Sequence, residues 1–175
     1  MEHGFYHPSR GYWQTNDGPS PEILAAYPEG TVEVPLCPGS GHVWTGTEWA
    51  PAPPADPTPD DVTAERARRI LAGLTIAVPG HATPVRLTGD QQTRDNLQSL
   101  AMAAQMRMAA GDTTTPTTWR DADNADHALT PPQLLALWSA AAAYVGAVYA
   151  ASWALKDATP IPADYADNTH WPAAG

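Results

Sequence analysis

Between Gln133 and Leu155 the chain carries no charged side chain, and that stretch constrains the rest of the fold. Thr130-Pro131-Pro132-Gln133 opens it as a capping box. Its prolines stand where a helix tolerates them, because the first N–H groups of a helix have no intrahelical partner. From there to about Lys156, the residues Leu134, Trp138, Ala141, Val145, Val148, Ser152 and Leu155 recur at alternating spacings of four and three. Leu137, Tyr144 and Ala151 widen this heptad-like stripe. A long helix without charge must have most of its circumference covered. Two coverings are open: packing against helices of the same chain, or self-association through the stripe, for instance as a trimer.

Two partner helices are predicted upstream. Thr58 as N-cap, Pro59 at the first helical position, and Asp60 and Asp61 at the positive end of the dipole start one that stops at Gly73. In it, Arg66, Arg68 and Arg69 read as a solvated face. A second, over about 90–110, gathers Leu97, Leu100, Ala101, Ala104 and Met108 on one side and ends at Gly111. Between them Leu74–Val78 alternates like a strand, Pro79-Gly80 marks a turn, and Val85–Thr88 is the return strand. A threonine loop then leads to Trp119 and an acidic turn, Asp121 to Asp126. The tail, 158–175, is expected to be extended, with Tyr165 and Trp171 as anchors.

The first fifty residues obey another rule. Phe5-Tyr6-His7 and Tyr12-Trp13-Gln14-Thr15 flank the turn Pro8–Gly11, and Ser20-Pro21-Glu22 opens a short helix. Thr31–Val34 is a further strand, and Val43-Trp44-Thr45-Gly46-Thr47-Glu48-Trp49 is a hairpin with tryptophan on both arms. The predicted fold class is therefore α+β. It comprises a β-rich unit at 1–50, a proline-rich linker at 51–59, a mainly helical domain at 60–157 with three helices and one short β-hairpin, and the tail. The linker is semi-rigid and extended, reaching about 3 Å per residue.

Charge and composition exclude several functions. A net charge of −10 opposes binding to nucleic acid, which needs clustered Lys and Arg. No apolar run approaches the roughly 18 residues of a membrane-spanning helix, so no membrane insertion is expected. Met1-Glu2-His3-Gly4 lacks the features of a signal peptide, and Cys37, the single cysteine, allows no internal disulfide. These features place synthesis in a cytosol.

Catalytic, cofactor and metal chemistries find no foothold. Asp121-Ala122-Asp123-Asn124-Ala125-Asp126-His127 lacks the Gly and bidentate Glu of a calcium loop and reads as a turn closed by Asx side chains. His3, His7, His42, His81, His127 and His170 are scattered singly, without zinc-site spacing. Cys37 lies in a Pro-Gly turn with nothing to activate it, and Pro38-Gly39-Ser40-Gly41 lacks a phosphate-loop lysine. The expectation is a protein without enzymatic activity or cofactor.

The aromatics point instead to protein contact. The chain has seven Trp and six Tyr against one Phe, and such amphipathic rings suit interfaces. Tyr12, Trp13, Trp44 and Trp49 in the first unit, and Trp138, Tyr144 and Tyr149 in the second, are the candidate contact residues. Cross-strand packing is the favoured reading of Trp44 and Trp49, over stacking on a host surface glycan.

Residues 64–157 carry Asp90, Arg94-Asp95-Asn96-Leu97, Thr118-Trp119, Asp123-Asn124, Leu129-Thr130, Leu134-Leu135, Tyr144, Tyr149 and Lys156. This pattern resembles a domain of unknown function that recurs in phage tail fibre and tail fibre assembly proteins. Gly11-Tyr12-Trp13, Tyr27-Pro28-Glu29-Gly30 and Trp44–Trp49 similarly resemble tail-fibre leader segments. The chain departs from the pattern after Gly80, where His81-Ala82-Thr83-Pro84 replaces an apolar residue and an Asp. The resemblance implies a virion structural protein of the tail, contacting tail hub, tip or fibre proteins after assembly in a bacterial cytoplasm. The alternative is a fibre assembly chaperone that leaves before the particle matures.

Overall fold

A computed structural model describes residues 1–175, and its fold is α+β. The chain divides into two compact units, Met1–Ala55 and Asp56–Gly175.

In the first unit, β1 (His3–His7) pairs antiparallel with β2 (Gly11–Thr15) and with β3 (Val32–Val34), giving the order β2-β1-β3. Between β2 and β3, Ser20 caps α1 (Pro21–Ala25), its hydroxyl accepting from the Ile23 N–H. The predicted tryptophan hairpin forms as β4 (His42–Trp44) and β5 (Trp49–Pro51), with Trp44 opposite Trp49. Because β5 continues to Pro51, the irregular linker starts one residue later than its composition indicates.

The second unit is organised around its last helix. Thr58 caps α2 (Pro59–Ala72): its Oγ1 accepts from Asp61 N–H, and Asp61 Oδ2 accepts from Thr58 N–H at 2.8 Å. These hydrogen bonds, from the Thr58 side chain first and then its backbone, lower the Asp61 pKa. Gly73 ends α2 at φ +75°, and β6 (Leu74–Ile76) and β7 (Val85–Leu87) form the predicted hairpin. Asp90 caps α3 (Gln91–Ala109). A second hairpin follows, β8 (Thr117–Arg120) with β9 (Asp126–Leu129), where the sequence reading placed only a loop and an acidic turn. The turn itself is closed by an Asx side chain as expected. Asp121 Oδ1 accepts from the Asp123 and Ala125 N–H groups, both at 2.9 Å, and Asn124 takes a positive φ of 61°.

Helix α4 (Pro131–Asp157) then runs 27 residues, with Gln133 Oε1 accepting from Thr130 N–H at 2.9 Å across its first turn. One side of α4 is shared between two core clusters. Leu134 and Leu137 join Val85, Leu87, Leu97, Trp119 and Leu129. Further along, Val148 and Leu155 join Val62, Ile70 and Trp171. Helix α3 thus packs on α4 in the first cluster, and α2 in the second.

Two expectations are corrected here. The tail does not stay extended: Trp171 is buried, its Nε1 donates to the Tyr165 carbonyl at 2.7 Å, and the Ala174 carbonyl accepts from Thr75 N–H on β6. Nor is the arginine cluster wholly solvated. Arg69 is buried with Glu65, bonds it at 2.7 Å, and donates to Ala166 O and Asn168 Oδ1 of the tail. Removing one member of such a buried pair strands the other.

Glycines fix the joint between α2 and the β6–β7 hairpin. A Cβ on Gly73 would stand 1.9 Å from Leu87 O, and one on Gly89 1.5 Å from Ile70 O. We therefore expect Gly73→Ala to cost about 3 kcal/mol or more, combining the clash with a backbone conformation alanine resists. Urea unfolding followed by circular dichroism measures it; a loss of only a few tenths would mean the joint adjusts freely.

Candidate protein-contact surface

The seven candidate residues fall into three groups. In the first unit the alternation of β2 sends Tyr12 and Trp13 to opposite faces of the sheet. Trp13 lies 6.0 Å from its cross-strand partner Phe5, and Tyr27 meets both rings edge-on. On the other face Tyr12 meets Trp49 edge-on at 5.0 Å, and Trp49 meets Trp44 at 5.4 Å. Gly4 makes room for Tyr12, since a Cβ there would stand 2.9 Å from the ring and from Val34 O. The Tyr12 hydroxyl accepts from Cys37 N–H at 3.2 Å, and Trp49 Nε1 donates to Pro35 O at 2.7 Å. Tyr12, Trp13, Trp44 and Trp49 are all half-buried. They hold the unit together and show only part of each ring outside.

Tyr144 belongs with the core. It packs against the second cluster, and burial raises its hydroxyl pKa against the opposing pull of Arg69 and Arg68.

Trp138 and Tyr149 form the third group, on the open side of α4. Trp138 is a correction to the predicted stripe. It is 41% exposed, whereas Leu137 beside it is fully buried; the rest of the predicted stripe is buried or half-buried, with Leu134, Val148, Ser152 and Leu155 all buried. Tyr149 is exposed, with the Arg66 guanidinium 4.5 Å above its ring. Trp153, absent from the candidates, is the most exposed of the three at 57%. Its i+4 spacing from Tyr149 was the available signal. Between these rings Ser139, Ala142, Ala143, Gly146, Ala147 and Ala150 are all exposed. Met102 and Met106 of α3 are exposed as well. The uncharged helix is therefore covered by its own chain on one side only.

This bears on the membrane expectation. By length and composition α4 qualifies to cross a bilayer, with a mean hydropathy of 1.6 over its best window. Scattered Trp, Ser and Gly conceal that average in a search for an unbroken apolar run.

Spatial proximity also joins two histidines that read as isolated. His127 and the Asp121 side chain are buried, and His127 Nε2 stands 3.0 Å from Asp121 Oδ2. His81 Nε2 is 3.0 Å from His127 Nδ1. An ionised Asp121 only accepts, so His127 donates from Nε2 and, when neutral, accepts from His81 at Nδ1. The chain of bonds ties the β6–β7 loop to the β8–β9 hairpin. Forty-six residues separate the two histidines, so no local spacing signals the pair. No group of three or more His, Cys, Asp and Glu side chains is placed to hold a metal ion.

Burial pushes the Asp121 pKa up. The bonds from His127 and from the Ala125, Asp123 and Arg86 N–H groups outweigh it and bring the value to about 2.

The family described as "Domain of unknown function (DUF4376)" matches residues 55–169. The chain belongs to this family. The match takes in α2 to α4, both hairpins and the turn that precedes Trp171. It therefore contains the open helix face and the histidine pair, and leaves the aromatic unit outside. No curated protein and no solved structure matches the chain.

For Asp121 the pH dependence has a definite sign. A depressed carboxyl pKa adds stability that is fully present above the unfolded value near 4 and is lost as pH falls toward about 2. Asp121→Asn should cost about 1–3 kcal/mol at neutral pH and flatten the stability profile between those values. Urea midpoints of both proteins across that range measure it. Parallel profiles would show that other carboxylates govern acid unfolding.

Proposed function

We propose that this DUF4376 protein is a non-enzymatic structural component of a bacteriophage tail, an adaptor that joins tail-tip or fibre proteins. The observation that carries the reading is the open side of α4. From Gln133 to Leu155 it is a face about 35 Å long that contains no charged residue of α4 and bears the exposed rings of Trp138, Tyr149 and Trp153, with Arg66 of α2 stacked on Tyr149 at its edge. Contiguous apolar surface of that extent marks an interaction site, and exposed aromatics at its border are the residue types that dominate contact energies.

Two further features support it. Residues 64–157 resemble the domain found in tail fibre and fibre assembly proteins. A separate compact unit, rich in half-buried Trp and Tyr, precedes the family domain, and two linked binding modules raise the effective concentration of each other's contacts.

Quantitative mass spectrometry of gradient-purified particles is the direct test. The expected result is a fixed ratio of this chain to the major tail proteins, at a few copies per tail. Absence from mature particles, with recovery on fibre protein from infected-cell lysate, would replace the structural role with that of an assembly chaperone.

A further inference from the structure

The open face of α4 suits one occupant better than others. We propose that it pairs with the same face of a second copy, antiparallel, about a two-fold axis at Gly146. The proposal rests on reading this face as a protein-contact surface.

Three observations carry it. The first is the order of side-chain sizes. At about 3.6 residues per turn, Ser139, Ala142, Gly146, Ala150 and Trp153 lie along the middle of the exposed side, and Ala143 and Ala147 widen it. In an antiparallel pair centred on Gly146, residues equally distant from the centre face each other. Ala142 then meets the second copy's Ala150, and Trp153 meets the second copy's Ser139. Glycine and alanine at the centre let the backbones approach to the short end of the 8–10 Å range of interaxial distances, roughly. Each large ring at an end meets a small side chain, and the symmetry satisfies this complementarity twice. In a parallel pair, or a parallel trimer, Trp153 would meet Trp153 while glycine met glycine, leaving bulk at one end and a gap in the middle. A C2 contact needs a self-complementary patch, and the antiparallel arrangement supplies one.

The second observation is charge. No charged residue lies between Gln133 and Leu155, and the Arg66 guanidinium packed over the Tyr149 ring lies to one side of the small-residue line, so the occupant finds no ion-pair partner along the middle of the face. The second copy's face needs none. A Cβ on Gly146 would meet nothing within 4 Å, so the space above the centre is open to an incoming helix.

The third is area. Trp138, Tyr149 and Trp153 are 41%, 37% and 57% exposed. With the small residues between them, and Met102 of α3 beside Trp138, they make an extended exposed strip, the kind of surface from which a standard interface of roughly 800 Å² per partner is built.

The test is sedimentation velocity of the full chain over a wide concentration range. The wild type is expected at twice the chain mass. Ala142→Glu, an exposed position, should retain its helical circular dichroism and associate at least about tenfold more weakly, because an unpaired charge would be buried at the contact. Ala150→Lys alone should do the same. The double variant Ala142→Glu/Ala150→Lys should recover the dimer, since antiparallel packing sets each Glu against the other copy's Lys. Parallel packing would instead oppose like charges. A trimer, or a double variant that stays dissociated, overturns the two-fold antiparallel arrangement. A wild type that stays monomeric at every concentration overturns self-association, and its recovery on phosphatidylcholine vesicles would assign the face to lipid. A monomer that is still present in purified particles at fixed ratio leaves the tail role standing. A dimer absent from particles sinks the tail role and leaves the pairing.

Discussion

Half-burial of α4 is the condition on which the second unit depends. Its leucine side supplies Leu134 and Leu137 to one cluster and Val148 and Leu155 to the other, and every other element of the unit is placed by what it adds to them. Helix α3 contributes Leu97 and Ala104, the two hairpins contribute Val85, Leu87, Trp119 and Leu129, and α2 contributes Val62 and Ile70. At about 25 cal/mol per Å² of apolar surface, each large residue fully buried there contributes on the order of 2 kcal/mol, so the two clusters are the main favourable term. The side of α4 that faces away repeats almost none of this. Its small residues would suffice for a helix that was merely exposed, but Trp138, Tyr149 and Trp153 would not be needed for one.

Polar groups decide where the peripheral pieces sit. Arg69 is held by Glu65 on its own helix, lies 5.0 Å from the Trp171 ring, and donates from Nη2 to the tail. Through it, α2 fixes the last ten residues, and Trp171 closes the second cluster. His127 and Asp121 do the equivalent at the other end, where the β8–β9 loop is fastened to β7 by Ala122 N–H donating to Arg86 O. Both arrangements bury charged groups within hydrogen bonds from other segments of the chain. Their worth lies in specifying one arrangement of chain segments more than in net stability.

What the sequence made legible follows the range of each interaction. The caps of α2 and α4, the stop at Gly73 and the Trp44–Trp49 hairpin rest on residues within a few positions of one another, and the β6–β7 pair is marked by its strand alternation and the Pro79-Gly80 turn between; each was readable. The β8–β9 hairpin was not legible although Thr117-Thr118-Trp119-Arg120 alternates, because four residues of alternation beside an acidic turn are too short a period to distinguish a strand from a loop. The bonds of His81 to His127 and of Arg69 to the tail span 46 and 97 residues, and periodicity says nothing about such distances. Trp138 failed for a subtler reason. The widened stripe held both Leu137 and Trp138, and only Leu137, with no polar edge to keep wet, took a buried place.

The same reasoning explains why the contact candidates separate as they do. A tryptophan in a small sheet has no deep core to enter, so Trp13, Trp44 and Trp49 pack edge-on against neighbouring rings and stop half-buried. On α4 leucine, valine and Tyr144 already fill the core side, and Trp138, Tyr149 and Trp153 stand outside it. The two units therefore arrive at exposed aromatic surface by opposite routes, one because it has too little interior and the other because its interior is complete. In the first, the rings are structural and their outer edges are incidental to that role. In the second, Trp153 stands 57% exposed beside Tyr149, outside a core that is closed without it.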